Sequence, residues 1–594
     1  MRMQFRRPGI AAGLLLATMA LLMVGASRQD SATVDETTHL STGYLCWRGE
    51  NTQMGADDHP PLCRMLDAAP LLFMNLRFSD VARAFLQGQL SYQWTRSWRS
   101  EERSLSPLLE PGCKGHYVRL PLVGGVMILW QCPTRYPFNS WYYWAVPEGQ
   151  LYGEFFVYDG LNPGDKMLFA GRMAQIALTL VIGWVIFAWT RRATNQPGAA
   201  LFALSLWVFN PLALGYGHLI ITDNGAVLGI PLAVYVFTRF MQQPSLRNAA
   251  LSGAATGLAL VLKFTSLLLA PIYLVIVVLF RKQLRMPLVA LATRLAIFTV
   301  AAWCVILVAY IPFWAPAPPP TPAEISVLSV PVWFRTLRPV LIPPRFFKGI
   351  ALALGQAPRE GYLLGEWKQG GWWYYFPLTF IVKSPVTFVI LVGAGLGLFL
   401  RRVKSANLLE LTAWLASGVY LALAMTSGIN IGVRHLLPIF PMLCVGIGCA
   451  VASLTDRRLQ YIAIGLAAGQ ALTALIAYPL YVQYFSELVG GARNGYKYLI
   501  DSNYDWGQDA NRLKQFLDER QINHIYLDYF GTQFSIEHLR IPNTRVTADE
   551  AKQIQEGTLV VSASELMRPE WAWLRDSRQP VARVAYTLFV YQFP

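Results

Sequence analysis

Apolar runs too long for the core of a water-soluble domain dominate this sequence. Residues 168–190, 288–313, 376–400 and 459–484 each exceed the roughly 18 residues that mark a bilayer-crossing helix, with few charges inside them. A chain built this way folds as an α-helical polytopic membrane protein. Composition agrees, with 54% hydrophobic and only 14% charged residues and a mean hydropathy of +0.35. A water-soluble chain of 594 residues would be expected to divide into several domains instead. The net charge of +15 does not indicate nucleic acid. Lys and Arg cluster at the ends of apolar runs, where they set topology and meet anionic membrane lipids, and no basic face of a soluble domain is visible.

Those basic ends give the sidedness. Arg2, Arg6 and Arg7 precede an apolar stretch at 10–26, which places the N-terminus in the cytoplasm. Val24-Gly25-Ala26-Ser27 resembles a signal-peptidase site, but an uncleaved first span is expected, because a site directly after it needs that helix as a wall. Residues 27–166 then form a large first outer loop. The span at 168–190 descends to Arg191-Arg192, 199–221 returns to Asp223, and 225–240 goes back in. The short stretch at 249–262 rises to Lys263, either as a span or as a half-buried hairpin with 264–280, which descends to Arg281-Lys282. The run at 288–313 rises to a second large outer loop at 314–375. Spans at 376–400, 408–427, 436–454 and 459–484 complete about eleven, with the C-terminus outside.

In the first loop, 34–47 and 60–78 carry apolar residues three or four apart and read as amphipathic helices lying in the interface. Pro60-Pro61 opens the second, where a missing N–H costs least. Trp141-Tyr142-Tyr143-Trp144 reads as interfacial or core aromatics. Cys46, Cys63, Cys113 and Cys132 share this loop. An oxidising compartment permits disulfides there, Cys113–Cys132 among the possible pairings, with free buried thiols the alternative. Residues 1–486 are expected to form the transmembrane catalytic domain. Residues 487–594 turn soluble-like and are expected to form a small extracytoplasmic α/β domain, with a helix at 506–520 and strands at 525–529, 558–563 and 581–592. No internal repeat appears, which weakens a secondary-transporter reading.

Ionisable residues at or inside a membrane boundary are functional candidates. On this topology Asp35, Glu36, Asp58, His59, Arg172, Asp223, Lys263, Lys383, Arg434 and His435 all fall near the outer surface. A carboxylate there can deprotonate an acceptor hydroxyl, and cations can neutralise a departing phosphate. Displacement of that phosphate from the opposite face inverts the anomeric centre. The same parts permit a phosphatase, an ion carrier or a lipid flippase. A polytopic lipid or solute transporter without transferase activity is the alternative function, and a non-catalytic membrane protein whose outer domain binds partners is a third.

Taken in order, Asp35-Glu36-x-x-His39, His59-Pro60-Pro61-Leu62, Thr222-Asp223, Lys263-Phe264, Gly432-x-Arg434-His435-x-x-Pro438 and Ser502-Asn503-x-Asp505-Trp506-Gly507-Gln508-Asp509 span nearly the whole chain. Together they resemble the GT-C superfamily of membrane glycosyltransferases, in the branch holding protein O-mannosyltransferases and lipid A aminoarabinose transferases. The resemblance implies an inverting glycosyltransferase that takes its sugar from a polyprenyl-phosphate-linked donor. Its acceptor would be a glycan, lipid or protein outside the cytoplasm, at the bacterial inner membrane. It implies Asp35 as base, with Glu36 orienting it or the acceptor. His59 would fix the loop or touch the acceptor, and Asp223 would cap its helix or act as second acid. Arg172, Lys263, Arg434, His435 and Lys383 are the donor-phosphate candidates. No particular cofactor is expected, and a divalent metal is possible but not favoured, since a basic cluster can replace it. The acids of the run 502–509 could suggest a metal site, but Asn503-Tyr504-Asp505 followed by a helix reads more simply as a turn and helix cap. The aromatic, cysteine-bearing segment 92–160 matches nothing in that family.

Overall fold

In the computed structural model, residues 7–49, 58–78, 148–158, 160–284, 286–313, 343–356 and 358–594 are described, together with strands within 102–142. Asp57, Cys113 and Cys132 lie outside the described residues. Helices dominate. Pro8–Ser27, Gly164–Thr194, Asp223–Gln242, Leu288–Tyr310 and Arg457–Ala477 are long and apolar enough to cross a membrane. Shorter apolar helices, among them Leu246–Leu262, Leu408–Ala424 and Ile439–Ala452, pack between them. This is a polytopic helical membrane protein.

Two expected spans are broken, and proline is the reason in both. The run at 199–221 stops after Pro197–Val208 and restarts as Pro211–Tyr216. Pro211 has no N–H to give, and Asn210 caps the new start by accepting from the Leu212 and Ala213 N–H groups. Carbonyls freed at the break do not go unpaired, because buried Gln470 donates to Leu206 O (2.7 Å) and Phe209 O (3.1 Å). Likewise 376–400 splits into Tyr375–Lys383 and Val386–Arg401 around Ser384-Pro385, since the residue before a proline is pushed out of helical geometry.

The two helices expected to lie in the interface differ from that picture. Pro61 takes the first turn of Pro61–Ala68, which passes into a 3-10 turn at Ala69–Phe73. Glu36–Arg48, however, is buried from Leu40 to Cys46 on every face, not on one. Gly43 permits this: a Cβ there would collide with the carbonyl of Arg64 on the neighbouring helix. Both helices are thus packed into the protein beside Gly164–Thr194.

Toward the C-terminus a five-stranded sheet runs in the order 582–584, 588–593, 557–562, 525–528, 543–545. The last three strands are parallel and the rest antiparallel. The expected single strand at 581–592 is a hairpin instead. Ala585 and Tyr586 take φ of 49° and 67° at its turn, a left-handed pair that carries no glycine and so gives no turn signal. Alternation divides the sheet's apolar residues between two clusters. Val560 and Val590 face the helix Ala510–Glu519. Leu559, Val561, Phe589 and Tyr591 join the large cluster that continues into the membrane helices. Between the first two long helices, 102–104, 114–120, 125–131 and 141–142 form an antiparallel sheet.

Candidate active site

Asp35 ends the loop that leaves the first helix, immediately before Glu36–Arg48. Segment 31–34 is fastened to 506–508: Ser31 N donates to Gln508 O (2.9 Å), Val34 N to Trp506 O (3.2 Å) and Ser31 Oγ to Gly507 O (2.9 Å). Asp35 and Glu36 are adjacent in sequence, but their surroundings are opposite. The Glu36 side chain is wholly buried, whereas that of Asp35 keeps 32% of its surface. Glu36 accepts from Arg172 Nε (2.8 Å) and Nη2 (2.7 Å), Thr33 N (2.9 Å) and Ile220 N (3.1 Å). Burial alone would raise its carboxyl, but Arg172 and the two backbone donors outweigh that and hold it below the usual range.

Arg172 is committed in return. Beyond Glu36 it donates to the carbonyls of Ser27, Asp30 and Ser31 (2.7–2.8 Å). The pair is a buried tie that fixes the loop carrying Asp35, and none of it is directed at Asp223 or Arg434.

A second group of residues converges on Asp35. Arg434 Nη1 lies 3.0 Å from Asp35 Oδ2 and 3.6 Å from Asp223 Oδ2. Asp223 opens its helix, where the positive end of the macrodipole favours it. Its Oδ1 receives Lys263 Nζ at 2.9 Å, and Lys263 also donates to Thr222 Oγ1 at 2.9 Å. Lys263 sits where Leu246–Leu262 ends and an extended residue precedes a 3-10 turn, so the broken helix points its cation at the cluster. His435 Nδ1 stands 4.0 Å from Asp223 Oδ1. Burial drives its imidazole down to about 3, against the opposing pull of Asp223, so it is neutral at physiological pH.

Three buried polar atoms of this cluster, Arg434 Nε, His435 Nε2 and Asp223 Oδ2, make no hydrogen bond among the described residues. Such atoms are uncommon unless a ligand completes them.

His59 and Asp58 form a further group beside it. His59 Nδ1 lies 2.7 Å from Asp58 O, and its ring stands 5.7 Å from that of His39. Arg64 joins them, donating to His39 Nδ1 (3.0 Å) and Asp58 Oδ1 (3.1 Å). Burial lowers His59 to about 4 despite Asp58. Arg64 escaped sequence reasoning, although it falls one turn after His59-Pro60-Pro61 on the helix those prolines open. Lys383 lies apart. Wholly buried, it gives its donors to the carbonyls of Val482, Tyr484 and Asn503 (2.5–2.9 Å), which leaves none for a phosphate.

Run 502–509 braces Arg434. The Trp506 ring lies 4.5 Å under its guanidinium. Asn503 Oδ1 accepts Val433 N (2.8 Å), and Ser502 Oγ donates to Ile431 O (2.9 Å). A Cβ at Gly432 would meet Ser502 Oγ, so a larger residue there would displace that hydroxyl. The turn expected at Asn503-Tyr504-Asp505 is a 3-10 turn at Asp501–Asn503, but the next helix starts later, after Asp509, whose carboxylate makes no cap bond. It receives Arg512, Gln483, Gln508 and Thr587 instead. Arg512 bridges to Asp30 (2.8 Å), which also meets His218 (2.9 Å). Among the described residues, no three His, Cys, Asp or Glu side chains converge as metal ligands would.

Residues 164–306, which carry Arg172, Asp223 and Lys263, match the family model described as dolichyl-phosphate-mannose-protein mannosyltransferase. No curated protein matches the chain by sequence. Among solved structures, ArnT from Cupriavidus metallidurans bound to undecaprenyl phosphate aligns over 97% of both chains at 13% identity, with a TM-score of 0.44. The S. cerevisiae protein O-mannosyltransferase Pmt1-Pmt2 complex bound to the sugar donor aligns over 52% of this chain and 34% of its own, at 14% identity and a TM-score of 0.32. With its ordered motifs and the match at 164–306, the chain resembles the GT-C membrane glycosyltransferases of the protein O-mannosyltransferase branch.

Proposed function

We propose that the protein is an inverting glycosyltransferase moving a sugar from a polyprenyl phosphate to a hydroxyl acceptor on the extracytoplasmic face of the bacterial inner membrane. The observation that carries this is the position of Arg434, 3.0 Å from the accessible Asp35 and 3.6 Å from Asp223. Two carboxylates and two cations make Asp35, Asp223, Lys263 and Arg434 neutral as a set before any substrate arrives.

The acceptor hydroxyl gives its proton to Asp35 while its oxygen bonds the anomeric carbon. The bond from that carbon to the phosphate oxygen breaks, and its electron pair stays on the phosphate. One negative charge is thereby removed from Asp35 and one appears on the leaving group. Arg434 faces both, so its partner can change from carboxylate to phosphate without a large movement. Lys263 holds the same phosphate, and Asp223 keeps both cations oriented. His435, neutral, offers a hydrogen bond rather than charge. Glu36, Arg172 and Lys383 position backbone and do not touch the reacting atoms. His59 and Arg64 line the acceptor side. Residues 1–486 form the membrane catalytic unit and 487–594 an extracytoplasmic unit whose run 502–509 completes the site.

Purified protein in liposomes with mannosyl-phosphoryl-undecaprenol and envelope extract should release undecaprenyl phosphate, and Asp35→Asn should not. Equal release by that variant removes Asp35 as base. Movement of the lipid between leaflets without glycosylated product would mark a flippase instead.

A further inference from the structure

Against the segment that leads into Arg434 lies a cavity of about 250 Å3 that the reaction above does not use. Three separate parts of the chain wall it. Strands Glu360–Leu363 and Glu366–Gln369 form a hairpin in which Tyr362 and Trp367 are direct cross-strand partners, their rings 5.3 Å apart and near perpendicular. Asn430 comes from the segment leading into Arg434, and Asp501 and Arg568 come from the C-terminal part. Arg359 completes the rim.

Hydrogen-bonding capacity is left over in this wall. Among the described residues Arg359, which is exposed, makes no side-chain hydrogen bond or ion pair. Among the described residues the Asp501 carboxylate accepts only from the next N–H, that of Ser502. Asp501 also holds a left-handed φ of 56°, a conformation that aspartate adopts more readily than most residues. Burial raises its carboxyl, while Arg434 and Arg359 pull the other way; it therefore lies within electrostatic reach of the reacting cluster. Arg568 is taken up by Glu565 at 2.9 Å and by stacking 5.0 Å over Trp367.

Among the described residues, one guanidinium without a side-chain partner, Arg359, and two carboxylates with acceptor capacity to spare, Asp501 and Glu360, line the cavity beside an aromatic wall. That balance suits a neutral polyhydroxylated ring better than a phosphate, which would meet Asp501 as a like charge. The volume is near the lower end of ligand pockets, roughly 300 Å3, and admits one ring. The geometry points to this cavity as the seat of a single sugar ring, its hydroxyls met by Asp501 and Arg359 and its C–H face by Tyr362 and Trp367. This rests on the glycosyl-transfer reading, in which such a ring belongs either to the donor or to the end of a glycan acceptor.

The test uses the full chain in nanodiscs, with farnesyl phosphate, mannosyl-phosphoryl-farnesol and methyl α-mannoside as probes. Asp501→Asn and Arg359→Gln are compared with the unaltered protein; the second alters an exposed side chain and is the control should the first fold poorly. A loss of about tenfold in affinity for mannosyl-phosphoryl-farnesol, with farnesyl phosphate unchanged, supports a donor-sugar seat. Methyl mannoside that binds alongside mannosyl-phosphoryl-farnesol, and is weakened by either variant, supports an acceptor seat. Equal weakening of farnesyl phosphate overturns the proposal in favour of an anion site. Unchanged binding of all three probes overturns it outright. Asp35→Asn turnover is read in parallel: if it stays normal while Arg359→Gln weakens sugar binding, the assigned base fails and the sugar seat stands.

Discussion

Glu36→Gln and Asp35→Asn are neighbouring substitutions of the same kind, and the structure assigns them opposite consequences. Glu36 accepts four hydrogen bonds in a fully buried setting, two of them from Arg172. The glutamine keeps the shape but removes the charge and turns one acceptor into a donor, which faces both the guanidinium and a backbone N–H whichever oxygen it replaces. Breaking a buried pair from one side costs about 3–5 kcal/mol, because the other charge stays behind unpaired. A marginally stable fold has about 5–15 kcal/mol in all, so Glu36→Gln should sharply lower the yield of folded protein. Asp35, with 32% of its side chain exposed, contributes at most about 1 kcal/mol through its ion pair. Asp35→Asn should therefore fold normally and not turn over. The assay is size-exclusion recovery after graded heating in detergent, combined with turnover per folded molecule. Glu36→Gln molecules that survive should retain activity. If Glu36→Gln withstands heating as well as the unaltered protein and loses turnover as Asp35→Asn does, Glu36 belongs to the reaction and the buried-tie argument is wrong.

Lys263→Gln also breaks a buried pair but leaves Asp223 with Arg434 at 3.6 Å; its folded molecules should bind farnesyl phosphate about tenfold or more weakly, since a charge-assisted contact is worth about 1.5–3 kcal/mol, and unchanged affinity by titration removes Lys263 from the phosphate site. Lys383→Met leaves three carbonyls without their shared donor and should lower heat resistance while leaving the affinity of folded molecules for farnesyl phosphate unchanged. His59 and His435 titrate in the folded protein at about 4 and about 3, below the ordinary 6.5. The unfolded chain therefore binds more protons between those values, and stability should be lost progressively as pH falls from about 6.5 toward 4. His435→Gln should blunt that loss, as measured by heat resistance across the range. Arg512→Gln removes the partner of Asp30 and Asp509 and should lower kcat through the loop bearing Asp35 without changing the affinity for farnesyl phosphate; Arg512→Lys should recover part of the rate.

What the sequence determined by itself was whatever depends on local pattern. Apolar length specifies membrane helices, because an unpaired backbone in hydrocarbon is so costly. Proline at 61 marks a helix start, and ordered acids and bases nominate Asp35, Asp223, Lys263 and Arg434 as a group. The prolines at 211 and 385 were equally visible, yet whether they break a helix depends on who takes up the freed carbonyls. Gln470, far along the chain, does so for the first. Only the tertiary structure distinguishes the surroundings of Asp35 and Glu36. Both are acids at one helix start, and what separates them is that Arg172, 136 positions away, meets one and Arg434, 399 positions away, meets the other. Likewise Lys383 and Lys263 read alike in sequence, but one is surrounded by carbonyls and the other by carboxylates. The charge state, accessibility and task of an ionisable group are set by what surrounds it in space, and a linear pattern does not carry that information.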